Sequence, residues 1–151
     1  MKLYIESSVI NFVYVDDSPD RANITKNFFE TEIKIHEFFI SELVLEEIEK
    51  TQCPKKEKMS NFIINHGFRV LPNTAEADRL ATEYTKAGLV PEKYINDAIH
   101  LALATINKME VLVSWNMEHI VKLKTIVGVN KINKEKGYGS ILIMTPEEVL
   151  E

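Results

Sequence analysis

One cysteine in 151 residues, Cys53, permits no internal disulfide and no cysteine metal cluster. Its expected role is that of a small packing residue. Glycine is nearly as scarce, with five in the chain. None of them builds a glycine-rich phosphate loop or a Gly-x-Ser-x-Gly elbow, so nucleotide-binding and α/β-hydrolase chemistry are disfavoured. The four histidines, His36, His66, His100 and His119, lack His-Glu-x-x-His spacing, which disfavours a zinc hydrolase. No apolar run is long enough to cross a bilayer, and the N-terminus enters a strand without a basic, apolar, cleavable leader. These absences point to the cytoplasm. There is also no net positive charge. A formal charge of −5 counts against a protein that coats nucleic acid nonspecifically. Repeats, low-complexity tracts and linkers are missing too, so one domain over residues 1–151 is expected.

What is present is an ordinary globular composition, 45% hydrophobic and 27% charged, with enough chain for a real core. The charge is uneven. Residues 1–49 carry 11 acidic and 4 basic side chains, a net of −7, whereas residues 119–136 carry five lysines against Glu135, a net of +4. Such a split suits a cation site beside an anionic substrate track, although a solvated lysine face explains it equally.

Patterning gives strands alternating with helices. Lys2 to Glu6 reads as a strand buried on both faces, ending in Glu6-Ser7-Ser8. A short helix over Val9 to Val15 follows, then a turn from Asp16 to Asp20 with Ser18 as N-cap and Pro19 at the first helical position. A helix to about Ile33, a strand from His36 closed by Ser41, and a helix from Glu42 come next. Pro54 restarts a basic helix that stops at His66-Gly67. Phe68 to Leu71 is a strand, and the helix opened by Asn73-Thr74 stops at Gly88. Tyr94 to Thr105 is a helix with Ile95, Ala98, Ile99, Ala102 and Ile106 on its inward stripe, and a strand from Glu110 to Ser114 follows. A short helix from Trp115, a lysine-rich connection, a strand over Ser140 to Met144 and a capped helix from Thr145 complete the chain. The alternation predicts a three-layer α/β/α sandwich on a mainly parallel sheet.

Four polar groups then stand at strand ends or early in the following helix: Glu6, Glu47, Asp97 and Asn116. In such sheets the carboxyl edge is where ligands bind. Three gathered carboxylates repel unless a cation joins them. Hard oxygen ligands suit Mg²⁺ or Mn²⁺. The plain alternative is that Asp97 and Asn116 cap helices.

Four segments carry a resemblance: Leu3 to Phe12, Ile40 to Ile48, Asn96 to Ala104 and Leu112 to Ile120. In order and spacing they resemble the four acidic motifs of PIN domains, especially those of VapC-type toxins. The resemblance implies a Mg²⁺- or Mn²⁺-dependent endoribonuclease paired with an antitoxin protein and commonly dimeric. The family acids fall on Glu6, Glu47 (with Glu46 as the one-residue register alternative), Asp97 and Asn116, which would be the catalytic and metal-binding residues. Ser8 and His119 would support those groups or contact phosphate, and Lys122 and Lys124 would position the RNA backbone. Two departures stand out, since the first position is usually Asp and the fourth often so. An inactive PIN-like module that binds RNA or a protein partner without cleaving is therefore the alternative. A phosphatase or receiver-like domain is a poor third, because it needs a strand-end aspartate where Glu6 stands. Ile10, Phe12, Val13 and Tyr14 crowd apolar groups near the N-terminus, which predicts a homodimer through that patch.

Overall fold

The computed structural model describes residues 1–15 and 17–151. Of the expected turn, Asp16 lies outside the described residues. Five short strands, β1 (Lys2–Ile5), β2 (Glu37–Ser41), β3 (Arg69–Leu71), β4 (Val111–Val113) and β5 (Leu142–Met144), pair in the order β3-β2-β1-β4-β5. Every pairing is parallel. The chain therefore fills one side of β1 with β2 and β3 and the other with β4 and β5. The order reverses between β1 and β4, which opens a crevice at their carboxyl ends.

The central strands are buried because their sequences are apolar on both faces. Leu3, Tyr4 and Ile5 of β1, and all of β4, are buried. Helices α1 (Ser7–Phe12), α2 (Pro19–Glu32), α3 (Glu42–Glu49), α4 (Lys55–His66), α5 (Ala75–Lys86), α6 (Ile95–Ile106), α7 (Leu123–Glu135) and α8 (Pro146–Leu150) supply the crossovers and flanks. Their starts follow the expected punctuation. Ser41 caps α3 through Val44 N–H, Thr74 caps α5, and Thr145 forms a capping box with Glu148 on α8. Gly67, at φ +66°, ends α4 in the left-handed conformation that glycine adopts most readily.

Several expectations are corrected. The lysine-rich connection contains α7, whose buried face is Thr125, Val129 and Asn133. Two of those three are polar, so the helical period was hidden from an apolar count. Trp115 to Ile120 is not a helix but an extended piece followed by hydrogen-bonded turns. Buried residues occur all round α6 rather than on one stripe, with His100, Leu101, Leu103, Ala104 and Thr105 buried beside Ala98 and Ala102. Cys53 is exposed, not packed. The N-terminal apolar patch is internal: Ile10 and Val13 are buried, Phe12 packs on Trp115, and Tyr14 meets Phe62 edge-on. No helix among the described residues is long and apolar enough to cross a membrane.

Candidate metal centre

Glu6 ends β1 and caps α1, so the peptide geometry that starts the helix also aims its carboxylate into the crevice. Its Oε1 accepts from Ser8 Oγ at 2.6 Å and from Ser114 Oγ at 2.6 Å. Among the described residues its Oε2 accepts only from the Ser8 backbone N–H, at 3.1 Å. Ser8 Oγ in turn accepts from Trp115 N–H at 2.9 Å. Of the two roles expected for Ser8, supporting a carboxylate is the one its contacts perform.

Glu47 projects from the second turn of the short amphipathic α3, beside buried Val44 and Ile48. Its Oε1 accepts from Ser7 Oγ at 2.7 Å and from His100 Nε2 at 2.5 Å. Burial pushes this carboxyl upward, but the His100 hydrogen bond and charge, with Ser7 and Lys50, outweigh it and hold the pKa below the ordinary range. Glu46 is exposed on another face and accepts from Asn73 Nδ2 at 3.0 Å. The register alternative thus points away from the crevice.

Asp97 lies in the first turn of α6. Its Oδ2 accepts from His119 Nδ1 at 3.0 Å, and the Tyr94 ring lies against the imidazole with centroids 4.3 Å apart. Burial raises the Asp97 pKa and the Glu6 charge raises it further, outweighing His100, His119 and Asn116. Glu6 and Asp97 therefore repel across the site. Glu6, Glu47 and His100 converge most closely, each placing one ligand atom within 4.8 Å of the others. Asp97 stands beside that group rather than in it.

Asn116 has a different occupation. Its Oδ1 accepts from His119 N–H at 3.0 Å, and its own N–H donates to Ser114 Oγ at 2.9 Å. It shapes the turn that carries His119. Lys122 immediately precedes α7 and Lys124 lies in its first turn, and both are exposed.

One pattern runs through the three acids. Each is gripped chiefly through one oxygen; among the described residues Glu47 Oε2 takes no hydrogen bond, while the Asn116 amide as well as His119 bears on Asp97. These carboxylates are restrained and Glu47 keeps an oxygen for a hard cation, so the donor set fits Mg²⁺ or Mn²⁺. A cavity of about 250 Å³ opens on the pair, lined by Glu6, Glu47, Asn11, Thr51 and Met59 among others. A larger hollow of about 770 Å³ between Arg21, Trp115 and Glu147 includes none of the three acids.

The same architecture occurs elsewhere. A chain of VapBC2 from Rickettsia felis, solved bound to a DNA fragment from their promoter, superimposes with a TM-score of 0.61. The chain has a PIN-like fold. The likeness spans 96% of this chain and 98% of that one at 16% identity. A chain of the DNA-bound VapBC from Salmonella typhimurium shares the PIN-like architecture with a TM-score of 0.57, at 15% identity over 97% and 98% of the two chains. No family model and no curated protein matches the sequence.

Sequence patterning assigned no site role to Tyr4, Ser41 or His100 and marked Ser7 and Ser114 only as polar groups at strand ends, yet Ser7, His100 and Ser114 bond the acids directly and Tyr4 and Ser41 lie behind His100. The clearest missed signal is His100. It follows Asp97 by three residues, so both share one face of α6.

Proposed function

We propose that this protein is a Mg²⁺- or Mn²⁺-dependent endoribonuclease, the toxin-like member of a toxin–antitoxin pair. The observation that supports the reading is the convergence of Glu6 and Glu47, with His100, past the end of β1 in a PIN-like sheet, with Asp97 beside them and within reach of the Glu6 charge. Glu6 and Glu47 would hold the cation, with Asp97 joining directly or through water, and Asn116 would keep His119 and hence Asp97 in place. When bound, such an ion lowers the pKa of a water and stabilises charge on a phosphate. Ser7, Ser8 and Ser114 fix the carboxylates beforehand, so little reorganisation remains for the reaction itself. Lys122 and Lys124, exposed beyond His119, would contact the RNA backbone and contribute affinity without sequence information. The two VapBC structures named above, each bound to DNA, support an antitoxin as the protein partner.

The alternative, a PIN-like module that binds without cleaving, draws support from Asn116, whose oxygen is engaged in a backbone cap. Cleavage of structured and unstructured RNAs with Mg²⁺, Mn²⁺ or EDTA separates the two. The nuclease reading expects metal-dependent cleavage that Asp97→Asn abolishes. Cleavage undiminished in that variant would reveal a contaminant and leave the enzyme without support. Self-association belongs to the same reading. It now rests on exposed Leu123 and Val127, one turn apart on α7 and 78% and 59% exposed. Light scattering that returns the 17.4 kDa monomer would remove it.

A further inference from the structure

Behind Glu47 lies a line of buried polar groups that the proposed chemistry does not use directly. Ser41, Tyr4 and His100 are all 0% exposed. The Tyr4 hydroxyl is 2.7 Å from Ser41 Oγ and 2.7 Å from His100 Nδ1, and His100 Nε2 is 2.5 Å from Glu47 Oε1. Val44 N–H donates to Ser41 Oγ at 3.3 Å. We propose that Tyr4 and Ser41 are positioning residues that fix the His100 ring as the Nε2–H tautomer, so that it pins Glu47 Oε1 and presents Oε2 to the metal crevice. The inference rests on the metal-site reading above.

Burial lowers the His100 pKa, but the Glu47 hydrogen bond and charge raise it above the ordinary value; for the neutral ring present above that point, hydrogen accounting carries the direction. Ser41 Oγ accepts from Val44, and among the described residues the Tyr4 hydroxyl is the one acceptor within reach of its own hydrogen, which therefore goes to Tyr4. The Tyr4 hydrogen then goes to His100 Nδ1, which accepts, and the remaining ring N–H points at Glu47. Every donor finds one acceptor. The reverse direction leaves the Ser41 hydrogen with no acceptor, an unfavourable result at a fully buried site.

The layout also argues against mere filling of space. Apolar side chains at positions 4, 41 and 100 together would fill the same space with no polar group to satisfy, a change often close to neutral for stability, whereas phenylalanine at position 4 alone would leave the Ser41 hydroxyl and His100 Nδ1 unpaired at about 1–3 kcal/mol. Moreover, the line leaves α3 at its cap, crosses β1 and α6, and returns to α3 at Glu47. It ties the start of that helix to the carboxylate nearly two turns later. Partners of this kind behind a ligand set the tautomer and orientation of the group in front.

The test uses Tyr4→Phe, Ser41→Ala, His100→Gln and the Tyr4→Phe/His100→Gln pair. Three measurements are made: melting temperature, ¹⁵N ring signals of His100 without metal, and Mn²⁺ affinity by calorimetry. The expected result is a folded Tyr4→Phe protein whose His100 signals shift toward mixed tautomers and whose Mn²⁺ affinity falls about tenfold. Ser41→Ala should move both readouts the same way by less. In the His100→Gln background, Tyr4→Phe should cause no further loss, because Tyr4 acts only through the ring. A ring that stays Nε2–H in Tyr4→Phe overturns the proposal, as does an equal loss of affinity in both backgrounds. A parent protein that takes up no Mn²⁺ overturns the metal reading instead. The metal-free ring signals still decide whether Tyr4 sets the tautomer.

Discussion

Ser114 Oγ donates to Glu6 Oε1 across 2.6 Å, joining the end of β4 to the end of β1. The same hydroxyl oxygen accepts from Asn116 N–H at 2.9 Å, so one buried serine holds both the first acid and the turn beyond the strand. Ser114→Ala removes a donor from a buried carboxylate and orphans a backbone N–H. Urea unfolding should show a loss of about 1–3 kcal/mol, the range for a buried group left unsatisfied. Mn²⁺ affinity should fall with it. An unchanged midpoint and unchanged affinity would show that Ser8 alone suffices to hold Glu6.

A cation that binds only the folded state raises the melting temperature by mass action. Mn²⁺ at 100 times its dissociation constant should add about 2.7 kcal/mol, and Asp97→Asn should remove most of the rise. Burial and the Glu6 charge hold the Asp97 pKa up, so the neutral amide should be tolerated by the metal-free fold. A thermal shift of equal size in the variant would place the ion elsewhere.

The two departures from the usual acids should behave in opposite ways. Asn116→Asp keeps a cap oxygen for His119 N–H, since Asp and Asn cap about equally well, and adds a negative charge near the site. It should lower the Mn²⁺ concentration for half-maximal RNA cleavage. Glu6→Asp shortens an arm whose carboxylate is tied to Ser8 and Ser114 at 2.6 Å each. Loss of that fit should reduce cleavage by on the order of 100-fold, the penalty typical of misplacement by about 1 Å. Faster cleavage by Glu6→Asp would mean that the serines follow the carboxylate rather than position it.

Tyr84 offers a test remote from the crevice. Burial pushes its phenol up to about 12, against the pull of Thr105 and Asn133. The folded-state value is raised above the unfolded value of 10.0. Its contribution is therefore fully present below pH 10 and is lost as pH rises toward 12. Two units correspond to on the order of 3 kcal/mol. Chemical denaturation between pH 9 and about pH 12 should show that decline, and Tyr84→Phe should flatten it while lowering stability at neutral pH. A decline of equal slope in the variant would assign it to other groups.

Local chemistry made much of the fold legible in advance. Apolar runs such as Leu3 to Ile5, caps such as Ser41 and Thr74, and stops such as Gly67 act over a few residues, and each is found where it was expected. The α7 helix was missed because its buried face uses Thr125 and Asn133. Asn133 is satisfied only by Tyr84 and Thr105 from two other helices. Gly128 likewise reads as a loop residue, yet a β-carbon there would lie 2.2 Å from a Leu89 methyl, so a larger residue would have to displace the Leu89 side chain.

The same division holds for the site. The sequence by itself determined which acids stand at strand ends, because alternation of strand and helix dictates which residues follow each strand. Only the tertiary structure decided what each acid touches. Glu47 meets His100 and Ser7, Asp97 meets His119, and Glu6 meets Ser114, partners between 22 and 108 residues apart in the chain. Hydrogen bonds and pKa shifts depend on distances of a few ångströms, and no local pattern encodes a distance between segments that meet only when the sheet assembles.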